Sequence, residues 1–199
     1  MKAHRPAQRG VTLIELMFAI TVLAILLGIG APSFANLIRD NRVTALTNDF
    51  VGSVALARSE ATKRALPVSL CPTTDGESCE GSTDWSTGWL IFTDDVGTQG
   101  EVDVPGDEIL QVNMNAGGGY APEGYALSGA MEYLTFAPNG LTQADLPAIA
   151  GGAIPAEFGG GTDPAGWSLT VEKSDCVGGK ARQATVTALG RVSTRRASC

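Results

Sequence analysis

The chain of 199 residues contains a single histidine, His4, and it lies in a short basic leader ahead of a long apolar run. The body therefore has no imidazole for a Ser-His-Asp triad, a Cys–His dyad or a histidine metal site. Cations are scarce as well. No Lys or Arg occurs between residues 65 and 172, a stretch that holds 16 Asp and Glu, so a polyanion is repelled by most of the domain. From residue 173 to the end no aromatic is present, which disfavours stacking on single-stranded bases. The four cysteines include no C-x-x-C pair, and no D-x-D-x-D-G loop occurs. Asp94-Asp95 and Asp107-Glu108 are adjacent carboxylates in Gly-rich surroundings and read as solvated turn residues. No enzyme activity, no metal and no cofactor are expected.

What the chain does have begins with Arg9-Gly10-Val11-Thr12-Leu13-Ile14-Glu15 and an apolar run over residues 11–31. Those 21 residues fall within the roughly 17–25 that let a helix cross a bilayer. A secretory signal has a shorter apolar core, about 7–15 residues, with a small-residue cleavage site behind it, and none follows here. Lys2, Arg5 and Arg9 precede the run, which sets the leader in the cytoplasm and the body across the membrane. Glu15 is the anomaly. A carboxylate at the centre of a membrane helix costs about 2–3 kcal/mol, less near the interface, so it marks a function.

Gly10-Val11-Thr12-Leu13-Ile14-Glu15-Leu16 resembles the class III prepilin signal of type IV pilin-like proteins. The resemblance implies that a membrane-embedded prepilin peptidase cuts after Gly10 and that Val11 becomes the methylated N-terminus. Phe is usual at that position, and Val11 is a mild departure. Glu15 matches the carboxylate that pairs with the terminal amine of a neighbouring subunit during filament assembly, since opposite charges in hydrocarbon are tolerable only together.

Removing a leader of ten residues and a helix of about fifty leaves roughly 135, enough for one globular domain with a core. The net charge of −7 hides an asymmetry: residues 173–199 carry six Lys and Arg against Asp175 alone. Cys71, Cys79, Cys176 and Cys199 allow three pairings. In an exported domain two disulfides are favoured over a zinc site. Cys71 with Cys79 would close a small loop, and Cys176 with Cys199 would hold the tail as a loop.

The spacing predicts a helix over 11–63. Beyond Pro32, Phe34, Leu37, Ile38, Leu46, Phe50, Val54, Ala57 and Ala61 recur near a 3.6-residue period. Gly28, Gly30 and Pro32 predict a kink or local melting where the hydrocarbon ends. Strands are expected at 68–71, 89–93, 109–114, 133–137, 167–171 and 183–189, separated by Gly/Pro-rich stretches at 97–106, 116–124 and 148–166. The expected fold is α+β, a long N-terminal helix packed on an antiparallel β-sheet domain over 64–199.

Asn41-Arg42, Leu56-Ala57-Arg58-Ser59-Glu60-Ala61, Leu70-Cys71-Pro72, Asp75-Gly76, Cys79, Trp85, Gly88 through Asp94 and Gly190-Arg191 resemble the FimT/GspH branch of the pilin-like proteins. That branch holds pseudopilins of type II secretion and minor pilins of type IV pili, among them subunits implicated in DNA uptake. The implied partners are a prepilin peptidase, other pilins or pseudopilins in a helical filament, and the inner membrane, with the domain in the periplasm. DNA is the further candidate partner. Its candidate contacts are Lys180, Arg182, Arg191, Arg195 and Arg196, whose charges suit sequence-independent phosphate binding. DNA-binding relatives carry a motif resembling Gly-Arg-x-Arg. Gly190-Arg191-Val192-Ser193 keeps its first half only, with Arg195 and Arg196 following later.

Overall fold

Thr12 opens the long helix. Its Oγ1 accepts the Glu15 amide at 3.3 Å and its carbonyl accepts the Leu16 amide at 3.1 Å, the geometry of a Ser/Thr N-cap. The computed structural model describes residues 10–115, 119–143, 167–174, 176 and 181–198, with backbone alone at 30–33, 35 and 36. Helix α1 spans Leu13–Arg64, starting two residues later than expected because Thr12 is the cap. The helix is continuous past Gly28 and Pro32, so the local melting expected there does not occur. A proline removes one intrahelical bond, and the turns on both sides are already nucleated. α1 stops where Ala65 turns to φ 57°, the left-handed C′ conformation, and Pro67 follows.

The chain divides into two compact units, Met1–Asn41 and Arg42–Cys199. The described part of the first is the opening half of α1, and its large apolar side chains, Leu16, Phe18, Leu23 and Ile29 among them, are exposed. Among the described residues no helix is long and apolar enough to cross a membrane. The side chains of residues 30 and 31, which close the expected span, lie outside the description.

The second unit joins the rest of α1 to two antiparallel sheets. Strands β1 (Val68–Pro72), β2 (Trp89–Thr93), β3 (Ile109–Asn113), β5 (Leu134–Phe136) and β6 (Thr142–Gln143) form one sheet in the order β3-β2-β1-β5-β6. Strands β4 (Tyr125–Gly129), β7 (Trp167–Lys173), β8 (Ala181–Val186) and β9 (Val192–Ala197) form the other in that order. Three of these were not anticipated from sequence: β4, β6 and β9. The loop expected over 148–166 lies outside the described residues.

Helix and sheets share one core. Val43, Leu46, Phe50, Val54, Ala57 and Ala61 recur every three or four residues and are buried against Leu70, Trp89, Ile91 and Phe136 of the first sheet and Trp167, Leu169, Val171 and Val186 of the second. Phe34, Leu37 and Ile38, expected on the same stripe, are exposed; the buried face begins at Val43. Strands β1 and β2 are buried along their whole length. Their second face, with Cys71, Leu90 and Phe92, is covered by Cys79, Val102, Ile109 and Tyr133. An antiparallel sheet usually leaves one face to water; here loops roof it.

Candidate functional site

The basic tail is a strand. β9 pairs with β8 over all six residues, from Ala181 opposite Ala197 to Val186 opposite Val192, and forms the outer edge of its sheet. Val192 packs on the core, while Ser193 through Arg196 are exposed, so one apolar anchor and β-branched neighbours suffice to seat a polar strand. The hairpin closes through Gly190 donating to the Thr187 carbonyl at 2.7 Å and Thr187 donating to the Arg191 carbonyl at 2.9 Å.

Strand alternation sorts the arginines. Arg182 and Arg196 stand directly opposite each other on one face. Like charges in that position disfavour pairing by a few tenths to about 1 kcal/mol. Arg195 lies on the other face, where its Nε and Nη2 donate to Gln183 Oε1 at 2.9 and 2.7 Å. Arg191 sits at the turn, five positions from Arg196 and therefore roughly 17 Å along the strand. Among the described residues none of the four forms an ion pair, because the salt bridges there join only Glu60, Lys63, Arg64 and Glu108. Arg182 and Arg196 thus form a pair on one face across β8 and β9, Arg195 lies on the other face, and Arg191 stands apart at the turn. Lys180 lies outside the described residues.

Gly190 has a packing duty beside this edge. Its carbonyl accepts Arg58 Nη1 at 2.9 Å, and a Cβ on it would collide with the Gly140 carbonyl oxygen and meet Arg58 Nε at 3.0 Å. Thr142 of β6 donates its amide to the Ala188 carbonyl at 3.1 Å in the same place. The helix, the β5–β6 turn and the β8–β9 turn therefore meet at Gly190. Sequence reading included Arg58 in a motif and missed this role; its position beside Ala57 and Ala61, which face the sheets, is the usable signal.

At the other end Gly10, Val11 and Glu15 are all exposed. Glu15 falls in the first turn of α1, where free amides favour an anion.

Cys71 and Cys79 are bonded, with Cα atoms 5.6 Å apart. Cys176 is also disulfide-bonded, and Cys199 lies outside the described residues. Three cysteines engaged in this way cannot serve as thiolate ligands to zinc. Within the closed loop Asp75 accepts hydrogen bonds from Ser78 Oγ at 2.6 Å and from the amides of Glu77 and Ser78 at 2.8 and 2.9 Å. The Ser78 hydroxyl is the largest cause holding its carboxyl well below the usual carboxylate range.

Asp94 corrects the solvated-turn expectation: it is 7% exposed. Ser69 Oγ donates to Asp94 Oδ2, and Ser69 also bonds Thr135 Oγ1 at 2.5 Å. The Gly100 amide donates to the same carboxylate at 2.9 Å, which holds the 97–107 loop over the sheet. Burial pushes the Asp94 pKa up, against the opposing pull of the Ser69 and Gly100 bonds, with Asp107 and Asp103 adding repulsion. The folded value lies above the ordinary 3.8, so the native state holds this proton more tightly than the unfolded chain does. Asp94 therefore favours folding most below pH 3.8, and that contribution declines as pH rises through the folded value. Asp94→Asn keeps an acceptor for Gly100 and is expected to flatten the stability–pH curve across that window. Urea titrations at stepped pH measure this, and a curve as steep as wild type would contradict it.

An apolar N-terminal helix whose second half buries a seam against antiparallel sheets is the architecture of a pilin-like filament subunit. Residues 46–190 match the model of the family described as Type II transport protein GspH, and the chain belongs to that family. Residues 5–31 match the prokaryotic N-terminal methylation motif. The type IV minor pilin FimU of Pseudomonas aeruginosa (strain PAO1) is similar in structure, with a TM-score of 0.52 and 18% identity, over 78% of this chain and 89% of that one. The minor pseudopilin EpsH from the type 2 secretion system of Vibrio cholerae gives 0.45 and 10%, over 78% and 97%. At these identities the FimU likeness is one of fold. No curated protein matches the sequence. Proteins of the GspH family are structural filament subunits, and this chain is not an enzyme.

Proposed function

We propose that the chain is a minor pilin of a type IV pilus system, FimT-like, made as a prepilin, cleaved after Gly10 and methylated on Val11. Glu15 then meets the terminal amine of a neighbouring subunit as the chain leaves the inner membrane for the filament, with the β domain in the periplasm. The match of residues 5–31 to the methylation motif supports the processing. The proposed task of the domain is to hold DNA for uptake along β9. The observation that carries this is four arginines without ion pairs among the described residues, spread over β8, β9 and the turn between them, in a domain otherwise poor in cations. Guanidinium groups spread along a hairpin suit contact with phosphates, and the contact would be independent of sequence and sensitive to salt.

Duplex binding by the full chain in non-ionic detergent, measured against salt, tests this reading. Replacing Arg191, Arg195 and Arg196 together by Ala is expected to abolish most of the binding and lower the salt slope by about 2–3. Unchanged affinity in that variant would overturn the DNA assignment. A second reading, a GspH-like pseudopilin of type II protein secretion, is favoured by the description of the matching family. Deletion of the gene separates the two, because loss of an exported enzyme with DNA uptake intact would favour secretion.

A further inference from the structure

We propose that Arg182 and Arg196 form a clamp that grips one phosphodiester group of duplex DNA, an assignment that rests on the DNA reading above. Arg182 belongs to β8 and lies outside the terminal Gly190-Arg191 motif, so the motif does not reveal it.

Three observations carry the clamp. The six-residue pairing of β8 with β9 fixes the two arginines in direct register, so their separation is set by the sheet and not by a loose tail. Neither makes an ion pair or side-chain hydrogen bond among the described residues, although facing like charges call for an anion between them. The third concerns their surroundings. Leu127, Val171, Arg182 and Arg196 form one row across the sheet, from the buried core to its open edge. Val171 is fully buried and Arg182 half-buried, so the pair stands where the apolar core gives way to the open edge of the sheet. Glu172, one position along from Val171, alternates onto the opposite face.

The chemistry selects the ligand. A guanidinium presents a planar fork of donors, and two forks offer donors to both free oxygens of a phosphodiester. Arg195 is held by Gln183 on the other face and is a separate contact. Neither β8 nor β9 carries an aromatic, which favours a duplex backbone over unstacked bases as the partner.

The test uses the full chain in non-ionic detergent with short duplexes of unrelated sequence over a salt series. Arg182→Gln and Arg196→Gln are each expected to weaken binding about three- to tenfold at 0.1 M salt and to lower the salt slope by about 1. The double variant should fall little further than either single, because both grip the same phosphate. Arg195→Gln combined with Arg182→Gln should be additive. Without DNA, Arg182→Gln should melt no lower than wild type, since a repulsion has been removed; that reading also excludes misfolding as the cause of lost binding. Wild-type affinity in both single variants would overturn the clamp while leaving the DNA reading intact, as would additive losses at Arg182 and Arg196. A wild-type chain that binds no duplex would overturn both together.

Discussion

Phe50→Ala is expected to destabilise the domain by about 3–5 kcal/mol, the range for emptying a large aromatic site. Phe50 is fully buried and sits where α1 meets both sheets. Its ring stacks on Trp167 at 5.0 Å and meets Trp85 and Trp89 edge-on at 5.5 and 5.6 Å. Trp167 belongs to the second sheet, and Trp85 and Trp89 to the stretch that leads into and opens β2 of the first, so shifting one segment would not fill the void. Urea unfolding followed by tryptophan fluorescence in non-ionic detergent is the measurement. The midpoint should fall sharply with the slope unchanged. Phe50→Leu should lose much less, because it refills most of the volume. A loss under about 1 kcal/mol in Phe50→Ala would mean that the ring cluster is not the joint between helix and sheets.

Gly190→Ala should cost about 2–4 kcal/mol for two separable reasons. Its φ of 69° lies in the left-handed region that a Cβ disfavours. The added Cβ would also stand well inside contact distance of the Gly140 carbonyl oxygen, and backbone cannot yield there as a flexible side chain would. Arg58→Ala separates the contributions. Alone it forfeits the bond to the Gly190 carbonyl, worth about 1–3 kcal/mol. In Gly190→Ala it gives the methyl group some room. The double variant should therefore lose less than the sum of the singles, and strict additivity would show that the contact at Gly190 is unimportant. On the proposed DNA contact, the same substitution, by disturbing the β8–β9 turn, should weaken duplex binding along with stability.

The glycine that resembles half of a DNA-binding motif is thus a packing residue, and its neighbour Arg191 is exposed at the turn. This division was not legible in the sequence, because it depends on Gly140, fifty positions away. The helix seam was legible from Val43 onward, since a 3.6-residue repeat of apolar side chains is a local property. Before that point Phe34, Leu37 and Ile38 keep the period but are exposed in the described structure. β9 was missed because Val192-Ser193-Thr194-Arg195-Arg196-Ala197 shows a charged edge and no alternating apolar face. An edge strand needs only one buried anchor, and charge on it guards against unwanted pairing. Asp94 was misread for a related reason. Adjacent carboxylates in a Gly-rich stretch usually face water, and only the fold brings Ser69, Thr135 and Gly100 around this one. The Cys71–Cys79 bond was one of three open pairings, and the packing of Cys79 over the outer face of β1 selects it.

The most direct test of the proposed role as a processed filament subunit is the N-terminus of the chain purified from membranes of a host that carries a prepilin peptidase. Intact mass and N-terminal sequencing should find a polypeptide beginning at Val11 and heavier by one methyl group, with Gly10 and all that precedes it gone. A chain that keeps its leader through Gly10, or one cut at a different bond, would contradict the assignment.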